Sequence, residues 1–246
     1  MIESIPMLHI PGPLTEGRFL CKPNRFTALV EVDGRQATAH VPTSSRMREL
    51  LVPGARVIVA GRARPDRITE FDLIMAYLGE ELVSVDSRVP NRLLEVTFRA
   101  GELPEFAGWQ FDRHEVTLGH SRLDFLLTRE GERCWVEAKS VTLVEEGMAL
   151  FPDAPTARGA RHLGELALAR EAGDRAAAVF VIQRGDARQF TPNRALDPDF
   201  AHALEDALRR GVEVYAYTCR VQPEGICIDR KIPVVSDIRR QSVRAR

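Results

Sequence analysis

Residues 121–141 read SRLDFLLTREGERCWVEAKSV, in which two apolar runs flank a short polar segment. Leu123–Thr128 and Arg133–Ala138 are short and rich in aliphatic or aromatic residues, which is typical of β-strands. The segment between them, Arg129-Glu130-Gly131-Glu132, contains the glycine that a tight turn favours. The stretch therefore predicts a β-hairpin.

The predicted hairpin brings two carboxylates and a lysine together. Side chains alternate between the two faces of a strand, so Glu137 and Lys139 share a face with Trp135, which we interpret as a core residue. If the strands pair, Asp124 comes alongside Glu137. Two carboxylates suit Mg²⁺, which prefers oxygen ligands, and a nearby lysine could orient a water or stabilise charge on a scissile phosphate. An ion pair at a strand end would account for the same pattern.

Lysine usage draws attention to Lys139. Of 34 basic residues, only Lys22, Lys139 and Lys231 are lysines, so arginine is the usual cation of this chain. Lysine offers a compact ammonium that can lose its proton, which arginine does not. A second acid-x-Lys triplet, Asp229-Arg230-Lys231, has no acid on a preceding hairpin strand, and we interpret it as unrelated to a site.

The rest of the second half alternates between helical and strand patterns. The clearest helix is Asp199–Arg210, where apolar residues recur at helical spacing. The predicted order is helix, three strands, helix, strand, helix and strand, which indicates a mixed α/β domain over residues 89–246 with a basic C-terminal tail. The other elements are Asn91–Ala100, Glu115–Leu118, the two hairpin strands, a helix through Leu163, Leu166 and Ala167, Ala177–Gln183 and Val212–Thr218.

Residues 1–88 are predicted to form a separate β-rich domain. Short strand patterns cover Phe26–Val32, Gln36–Val41 and Arg56–Ala60. Asp33-Gly34, between the first two, is a strong signal for a hairpin turn. Several short strands in fewer than about 80 residues favour a small barrel or sandwich, the OB type among them.

The composition excludes several classes of protein. The chain has 246 residues, of which 44% are hydrophobic and 28% charged, as in ordinary globular proteins. Its longest apolar run, Ala176–Ile182, is far shorter than the ~18 residues needed to span a bilayer. The four cysteines lack the close spacing of a zinc site, and unpaired thiols suit a reducing compartment. We therefore expect a cytoplasmic protein without a membrane partner.

Basic residues cluster although the net charge is −1. Residues 46–67 contain six arginines and two acids, and residues 230–246 contain six basic residues and one acid. Local patches of one sign attract phosphate even when the whole chain is nearly neutral. Solvated surfaces would give the same pattern, but phosphate contacts predict an affinity that falls steeply with salt.

Five segments in the second half match the pattern of a known family and keep its order over most of residues 90–218. They are Pro90–Leu93, Ser121–Phe125, Glu137–Leu143, Phe151–Gly159 and His162-Leu163. The Phe-Pro-Asp sequence at 151–153 is distinctive. On these segments the chain resembles the sugar fermentation stimulation protein A family. The N-terminal half differs, because residues 41–47 read VPTSSRM where the family usually has an Asn-Thr-Gly stretch.

The resemblance implies an N-terminal OB-like domain followed by a domain similar to the PD-(D/E)XK nucleases. It also implies DNA binding and a link to the regulation of sugar metabolism. The nuclease signature would fall on Asp124, Glu137 and Lys139, with the two acids holding Mg²⁺ or Mn²⁺. The partner would be single- or double-stranded DNA, or RNA. Candidate contacts to nucleic acid are Arg46, Arg62, Arg64, Arg122, Arg158 and Arg161.

Some further residues have two interpretations. Glu95 and Glu115 are candidates for an additional acid near the metal, although a solvated position is the simpler interpretation of each. Asp153 or Thr156, in the loop before the second helix, could cap that helix. His162, early on the helix, is interpreted as a surface or cap residue.

Two functions follow from these patterns. The first is a Mg²⁺-dependent nuclease, which the intact set of two acids and a lysine favours, since binding alone does not require paired acids that repel phosphate. The second is a non-catalytic DNA-binding regulator with a nuclease-like fold, which the family's association with regulation favours. The oligomeric state stays open.

Overall fold

The computed structural model describes residues 6–43, 45–61 and 68–236. The strands within these ranges are β1 Met7–His9, β2 Leu14–Asn24, β3 Thr27–Val32, β4 Arg35–His40, β5 Arg56–Gly61, β6 Phe71–Leu78, β7 Glu81–Ser84, β8 Gln110–Leu118, β9 Ser121–Arg129, β10 Glu132–Val141, β11 Val144–Glu145, β12 Met148–Phe151, β13 Arg175–Ile182, β14 Gln189–Pro192, β15 Glu213–Gln222 and β16 Gly225–Ile232. The helices are α1 Val89–Ala100, α2 Ala157–Glu171 and α3 Pro198–Arg209.

The N-terminal sheet closes into a small barrel. Its strand order is β4-β3-β2-β5-β6-β7, and β4 also pairs in parallel with β6, which closes a barrel of five strands. Phe19, Val30 and Val57 are among the buried residues that fill it. Asp33 and Gly34 have φ angles of 52° and 74°, as the turn between β3 and β4 requires. The predicted hairpin and barrel are confirmed.

The larger sheet has seven strands in the order β1-β16-β15-β13-β10-β9-β8. Strands β10, β13 and β15 run parallel, whereas β8, β9 and β10 form successive antiparallel pairs. Helix α1 packs on one face through Leu93 and Phe98, and α2 and α3 pack on the other through Leu163 and Phe200. The predicted mixed α/β domain is confirmed, but the predicted order ends at β15. Strand β16 follows it, where the sequence pattern predicts the start of a basic tail, because β16 pairs with β15.

Local signals set the helix starts. Pro90 lies in the first turn of α1, where its missing N–H costs no helical hydrogen bond. Thr156 caps α2, because its Oγ1 accepts a hydrogen bond from Gly159 N at 3.0 Å. Asp197 caps α3 in the same way through Phe200 N at 2.9 Å. The cap predicted at Thr156 is therefore confirmed.

The segment between β10 and α2 contains a small sheet where the sequence pattern predicts a loop. Strands β11 and β12 pair antiparallel, and β14 pairs with β12 in parallel. These strands are too short to show a periodic pattern. The domain boundary at residue 88 stays a prediction, and β1 joins the larger sheet by pairing with β16. None of the described helices is long and apolar enough to cross a membrane.

Candidate active site

Asp124 lies at the end of the β9–β10 ladder, beside Glu137. The regular pairing of the two strands ends at the residue pair next to these acids. Asp124 Oδ2 accepts a hydrogen bond from Ala138 N at 2.8 Å, and its Oδ1 accepts one from Asn91 Nδ2 at 2.7 Å. Strand β10 and helix α1 therefore fix both oxygens of this carboxylate.

Glu137 is almost fully buried, with 3% of its side chain exposed. Its Oε1 accepts a hydrogen bond from Lys139 Nζ at 2.5 Å and lies 2.5 Å from His162 Nδ1. Its Oε2 is buried and has no hydrogen-bond partner among the described residues. A buried acceptor without a partner costs free energy, so this oxygen is the atom of the site best suited to a positively charged ligand.

The two carboxyl groups differ in acidity. Burial, followed by the charge of Glu137, raises the pKa of Asp124 to about 6. Burial acts in the same direction on Glu137, but the hydrogen bonds and charges of His162 and Lys139 outweigh it and hold the pKa of Glu137 below its ordinary value. As the pH falls, Asp124 therefore takes up a proton before Glu137 does.

These side chains line an open cleft of about 430 Å³. Besides Lys139, three arginines, Arg88, Arg92 and Arg158, line the same cleft. Arg88 pairs with Asp86 at 2.7 Å, and Arg158 Nε lies within hydrogen-bond distance, 3.3 Å, of His162 Nε2. Arg158 also lies in the first turn of α2, where the helix dipole favours an anion. Of the predicted nucleic-acid contacts, Arg158 is therefore placed beside the two acids.

Neither of the further candidate acids lines the cleft. Glu95, one turn after Asn91 on α1, is 30% exposed and pairs with Arg99 at 2.9 Å. Glu115 pairs with Arg122 at 3.3 Å on the β8–β9 hairpin, where both side chains are exposed. Arg161, on α2, donates to a hydroxyl at the start of β9. The solvated interpretation agrees with the exposure of Glu115, whereas Glu95 is partly buried.

Arg46 lies where the barrel meets the loop before α2. Asp153 accepts hydrogen bonds from Arg46 N at 3.0 Å and from the Ser45 hydroxyl. Asp153 therefore ties the segment after β4 to this loop and does not cap α2. Arg62 and Arg64 lie outside the described residues.

Sequence reasoning missed two residues of the site, Asn91 and His162. The interpretation of His162 as a surface or cap residue is wrong, because 2% of its side chain is exposed and it contacts Glu137. A signal for it existed, since Leu163 and Leu166 lie one and four residues further along the predicted helix, on the same inward stripe. Asn91 has no such signal, because its contact depends on how α1 crosses the sheet.

The donor set suits a divalent cation bound by few protein ligands. Within the described ranges, no group of three or more His, Cys, Asp or Glu side chains is arranged to hold a metal ion. Mg²⁺ is commonly bound through only one or two carboxylates and keeps several waters. The unpartnered Oε2 of Glu137, beside the carboxylate of Asp124, fits that mode of binding.

Comparison with known proteins defines the class, an OB domain followed by an RE domain. Residues 20–85 match the family described as SfsA N-terminal OB domain. Residues 88–225 match the family described as sugar fermentation stimulation protein RE domain. The predicted OB-like barrel followed by a mixed α/β domain is confirmed.

The chain belongs to the sugar fermentation stimulation protein family, as its sequence predicts. A sugar fermentation stimulation protein homolog from Caldanaerobacter subterraneus subsp. tengcongensis is 44% identical over 226 residues, which cover 92% of this chain and 99% of the relative. The homolog from Moorella thermoacetica is 47% identical over 219 residues, covering 88% and 94%. The solved structure of Pyrococcus furiosus SfsA in complex with Ca²⁺ matches with a TM-score of 0.86 and 29% identity, over 94% of this chain and 100% of that one.

Proposed function

We propose that this protein is a metal-dependent phosphodiesterase that acts on DNA, with Asp124 and Glu137 as ligands of Mg²⁺ or Mn²⁺. The proposal rests on the buried Oε2 of Glu137, which has no partner among the described residues and lies beside a second buried carboxylate. The solved Pyrococcus furiosus relative is in complex with Ca²⁺, which also takes oxygen ligands.

The residues around the acids have distinct roles in this proposal. A divalent cation bound there would supply Lewis-acid polarisation of a phosphate and a more acidic water. Asn91 and the backbone of Ala138 hold both oxygens of Asp124. Lys139, whose ammonium lies on Glu137, stabilises the negative charge that grows on the scissile phosphate.

His162 acts as a positioning residue for Glu137. It contacts Oε1 from α2 while Lys139 donates to the same oxygen from β10, so Oε2 is the oxygen that remains for a cation. Side chains that contact a metal ligand from behind commonly orient that ligand and tune its affinity. Arg158 contacts the other nitrogen of His162 and is available for a phosphate of the substrate.

DNA suits the surroundings of this cleft. The arginines that line it attract a phosphate backbone, and the open shape admits a polymer. OB-like barrels commonly track nucleic acid through a positively charged groove. RNA has the same phosphodiester linkage, and comparing the cleavage rates of DNA and RNA shows which of the two is the substrate.

One feature favours a second function, which is DNA binding without cleavage. Lys139 offsets the charge of Glu137 within the protein, so a phosphate can approach the acids with less repulsion than two free carboxylates would exert. The chain would then be a regulator that uses a nuclease-like fold, with its connection to sugar metabolism mediated by DNA.

Incubation with end-labelled single-stranded DNA, duplex DNA and RNA, in Mg²⁺, Mn²⁺ or EDTA, separates the two functions. The test variants are Glu137→Gln and Lys139→Ala, and Glu132→Gln, at an exposed glutamate where β10 begins, is the matched control. We expect metal-dependent cleavage that both test variants lose and the control retains. Binding without cleavage in every condition would contradict the nuclease and support the regulator.

A further inference from the structure

A second groove opens where the barrel meets the loop before α2. It has a volume of about 540 Å³ and is formed by the end of β2, the segment after β4 and the loop after β12. We call it the barrel groove. The side chains that give it its charge are Lys22, Arg25, Arg46 and Arg48.

The barrel groove has more positive than negative charge. Four of its lining residues are basic and none is acidic, and no ion pair within the described ranges engages any of the four. Lys22 Nζ donates to the carbonyl of Ser45 at 3.4 Å. Burial, followed by the charge of Arg25, lowers the pKa of Lys22, whereas the charge of the adjacent Asp153 acts in the opposite direction. One carboxylate beside four cations leaves a net positive charge, so an anion in the groove would reduce the repulsion between them.

An exposed aromatic ring stands beside these cations. Phe26 follows Arg25 directly and is 48% exposed, and the Arg25 guanidinium carbon lies 5.5 Å from the centre of the ring. Phe26 N donates to Asn24 Oδ1 at 2.9 Å, which holds the turn between β2 and β3. Bases of a single strand stack on such rings, whereas the faces of paired bases are covered by their neighbours. The combination of cations and ring therefore fits a single strand.

The barrel groove adjoins the cleft of the proposed active site. Ala154 lines the groove and Arg158 lines the cleft, and four residues of chain span at most about 14 Å. Asp153, next to Ala154, holds the segment after β4 onto this loop through Ser45 and Arg46 N. One strand of nucleic acid can therefore contact both.

We propose that the barrel groove binds a single-stranded part of the DNA that is cleaved in the cleft, with its four cations on phosphates and Phe26 stacked on a base. This assignment rests on the proposed function, which identifies the bound polymer as DNA. It predicts that DNA with a single-stranded segment is preferred to a fully paired duplex.

The test is fluorescence anisotropy in EDTA, with a labelled oligothymidylate and a labelled duplex of equal length. Phe26→Ala is expected to weaken single-strand binding roughly 5- to 100-fold without changing its salt dependence, because it removes a stacking contact. The double variant Arg25→Gln/Arg48→Gln is expected to make the negative slope of log affinity against log salt shallower by about 1.4, since each phosphate contact to a single strand contributes about −0.7. Circular dichroism checks that each variant folds.

Two exposed residues elsewhere serve as matched controls. Leu168→Ala removes an exposed apolar side chain from α2, and Arg209→Gln removes an exposed cation from α3. Both are expected to bind the single strand like the unmodified protein. A loss as large as that in Phe26→Ala or Arg25→Gln/Arg48→Gln would contradict a specific groove.

The outcomes distinguish this inference from the proposed function. Single-strand binding that survives unchanged in Phe26→Ala and Arg25→Gln/Arg48→Gln would overturn the groove and leave the cleavage proposal intact. A duplex bound as tightly as the single strand, with the same loss in Phe26→Ala, would overturn the preference for a single strand. Failure to bind either polymer would overturn both proposals. Absence of cleavage with the expected groove effects would remove only the catalytic function.

Discussion

Two triplets with the same spacing, Glu137-Ala138-Lys139 on β10 and Asp229-Arg230-Lys231 on β16, differ in what surrounds the acid. In the first, the acid is 3% exposed, lies beside Asp124 and has one oxygen without a described partner. In the second, the acid is 22% exposed and pairs with Arg220 at 3.1 Å and Arg230 at 2.7 Å. Spacing is therefore not what makes a candidate metal site. A second carboxylate, and a carboxylate oxygen without a hydrogen-bond partner among the described residues, distinguish the first triplet from the second.

The neighbouring strand produces this difference. Strand β9 runs antiparallel to β10 and brings Asp124 to Glu137, whereas β15 runs antiparallel to β16 and brings Arg220 to Asp229. Lys231, the lysine of the second triplet, pairs with Glu105 rather than with Asp229. The same three-residue pattern thus places its acid beside a second carboxylate in one place and among arginines in the other.

Glu137→Gln against Asp229→Asn is the strongest contrast between the triplets. Glu137→Gln is expected to lower metal-dependent cleavage by roughly 100- to 10,000-fold, because a bound cation stabilises the transition state by several kcal/mol. Asp229→Asn is expected to retain cleavage, because its acid lies outside the cleft. Single-turnover rates on labelled DNA measure both, and equal losses would refute the distinction.

Lys139→Ala against Lys231→Ala tests the cations of the two triplets. Lys139→Ala is expected to reduce the cleavage rate by roughly 100- to 1,000-fold, as loss of one donor to a developing charge commonly does. Lys231→Ala should leave the rate unchanged, since this ammonium pairs with Glu105 away from the cleft. A normal rate in Lys139→Ala would show that the lysine only balances the charge of Glu137.

Asp124→Asn is expected to change how the stability of the metal-free protein depends on pH. The folded-state pKa of about 6 lies above the ~3.9 of an unfolded aspartate, so the folded protein binds this proton more tightly. The resulting stabilisation is complete below about pH 4 and is lost as the pH rises through about 6. Relative to Asp124→Asn, the unmodified protein should lose about 2–3 kcal/mol of unfolding free energy between about pH 4 and 7.

Urea unfolding in EDTA at a series of pH values measures this difference. The two curves of unfolding free energy against pH should converge or cross towards acid and diverge towards neutral pH. Parallel curves would show that burial beside Glu137 does not disfavour the charged form of Asp124.

His162→Ala tests the positioning of Glu137 from α2. Loss of a side chain that orients a metal ligand typically weakens metal affinity by about 10- to 100-fold. His162→Asn, which retains a nitrogen donor near the position of Nδ1, should restore part of that affinity, and His202→Ala on α3 is the matched control. Mn²⁺ titration of the three variants gives the affinities directly. An equal loss in the alanine and asparagine variants would indicate packing rather than a hydrogen bond.

Local sequence patterns were sufficient to predict the strands that carry Asp124, Glu137 and Lys139. The alternation along β10 placed Trp135 on the face opposite Val136, and the structure has these residues in separate cores on the two sides of the sheet. Trp135 is buried there, with Nε1 donating to Asp174 at 2.8 Å. The hairpin turn at Asp33-Gly34 was predictable for a similar reason, because two adjacent residues determine it.

The partners of the acids required the tertiary structure. Asn91 and His162 approach from α1 and α2, which pack on opposite faces of the sheet. No spacing along the chain relates Asn91 to Asp124 or His162 to Glu137, because these contacts form only when both helices pack on the sheet. The sequence indicated Arg46 as a nucleic-acid contact but not Lys22 or Arg25, since these residues meet Arg46 only when the barrel closes.

Calorimetric titration of Mn²⁺ into the metal-free protein, into Glu137→Gln and into Asp229→Asn measures whether Asp124 and Glu137 bind a cation. We expect divalent-cation binding that Glu137→Gln abolishes or strongly weakens and Asp229→Asn preserves. Binding that is equally strong in Glu137→Gln, or no binding in the unmodified protein, would contradict the assignment of Asp124 and Glu137 as a metal site.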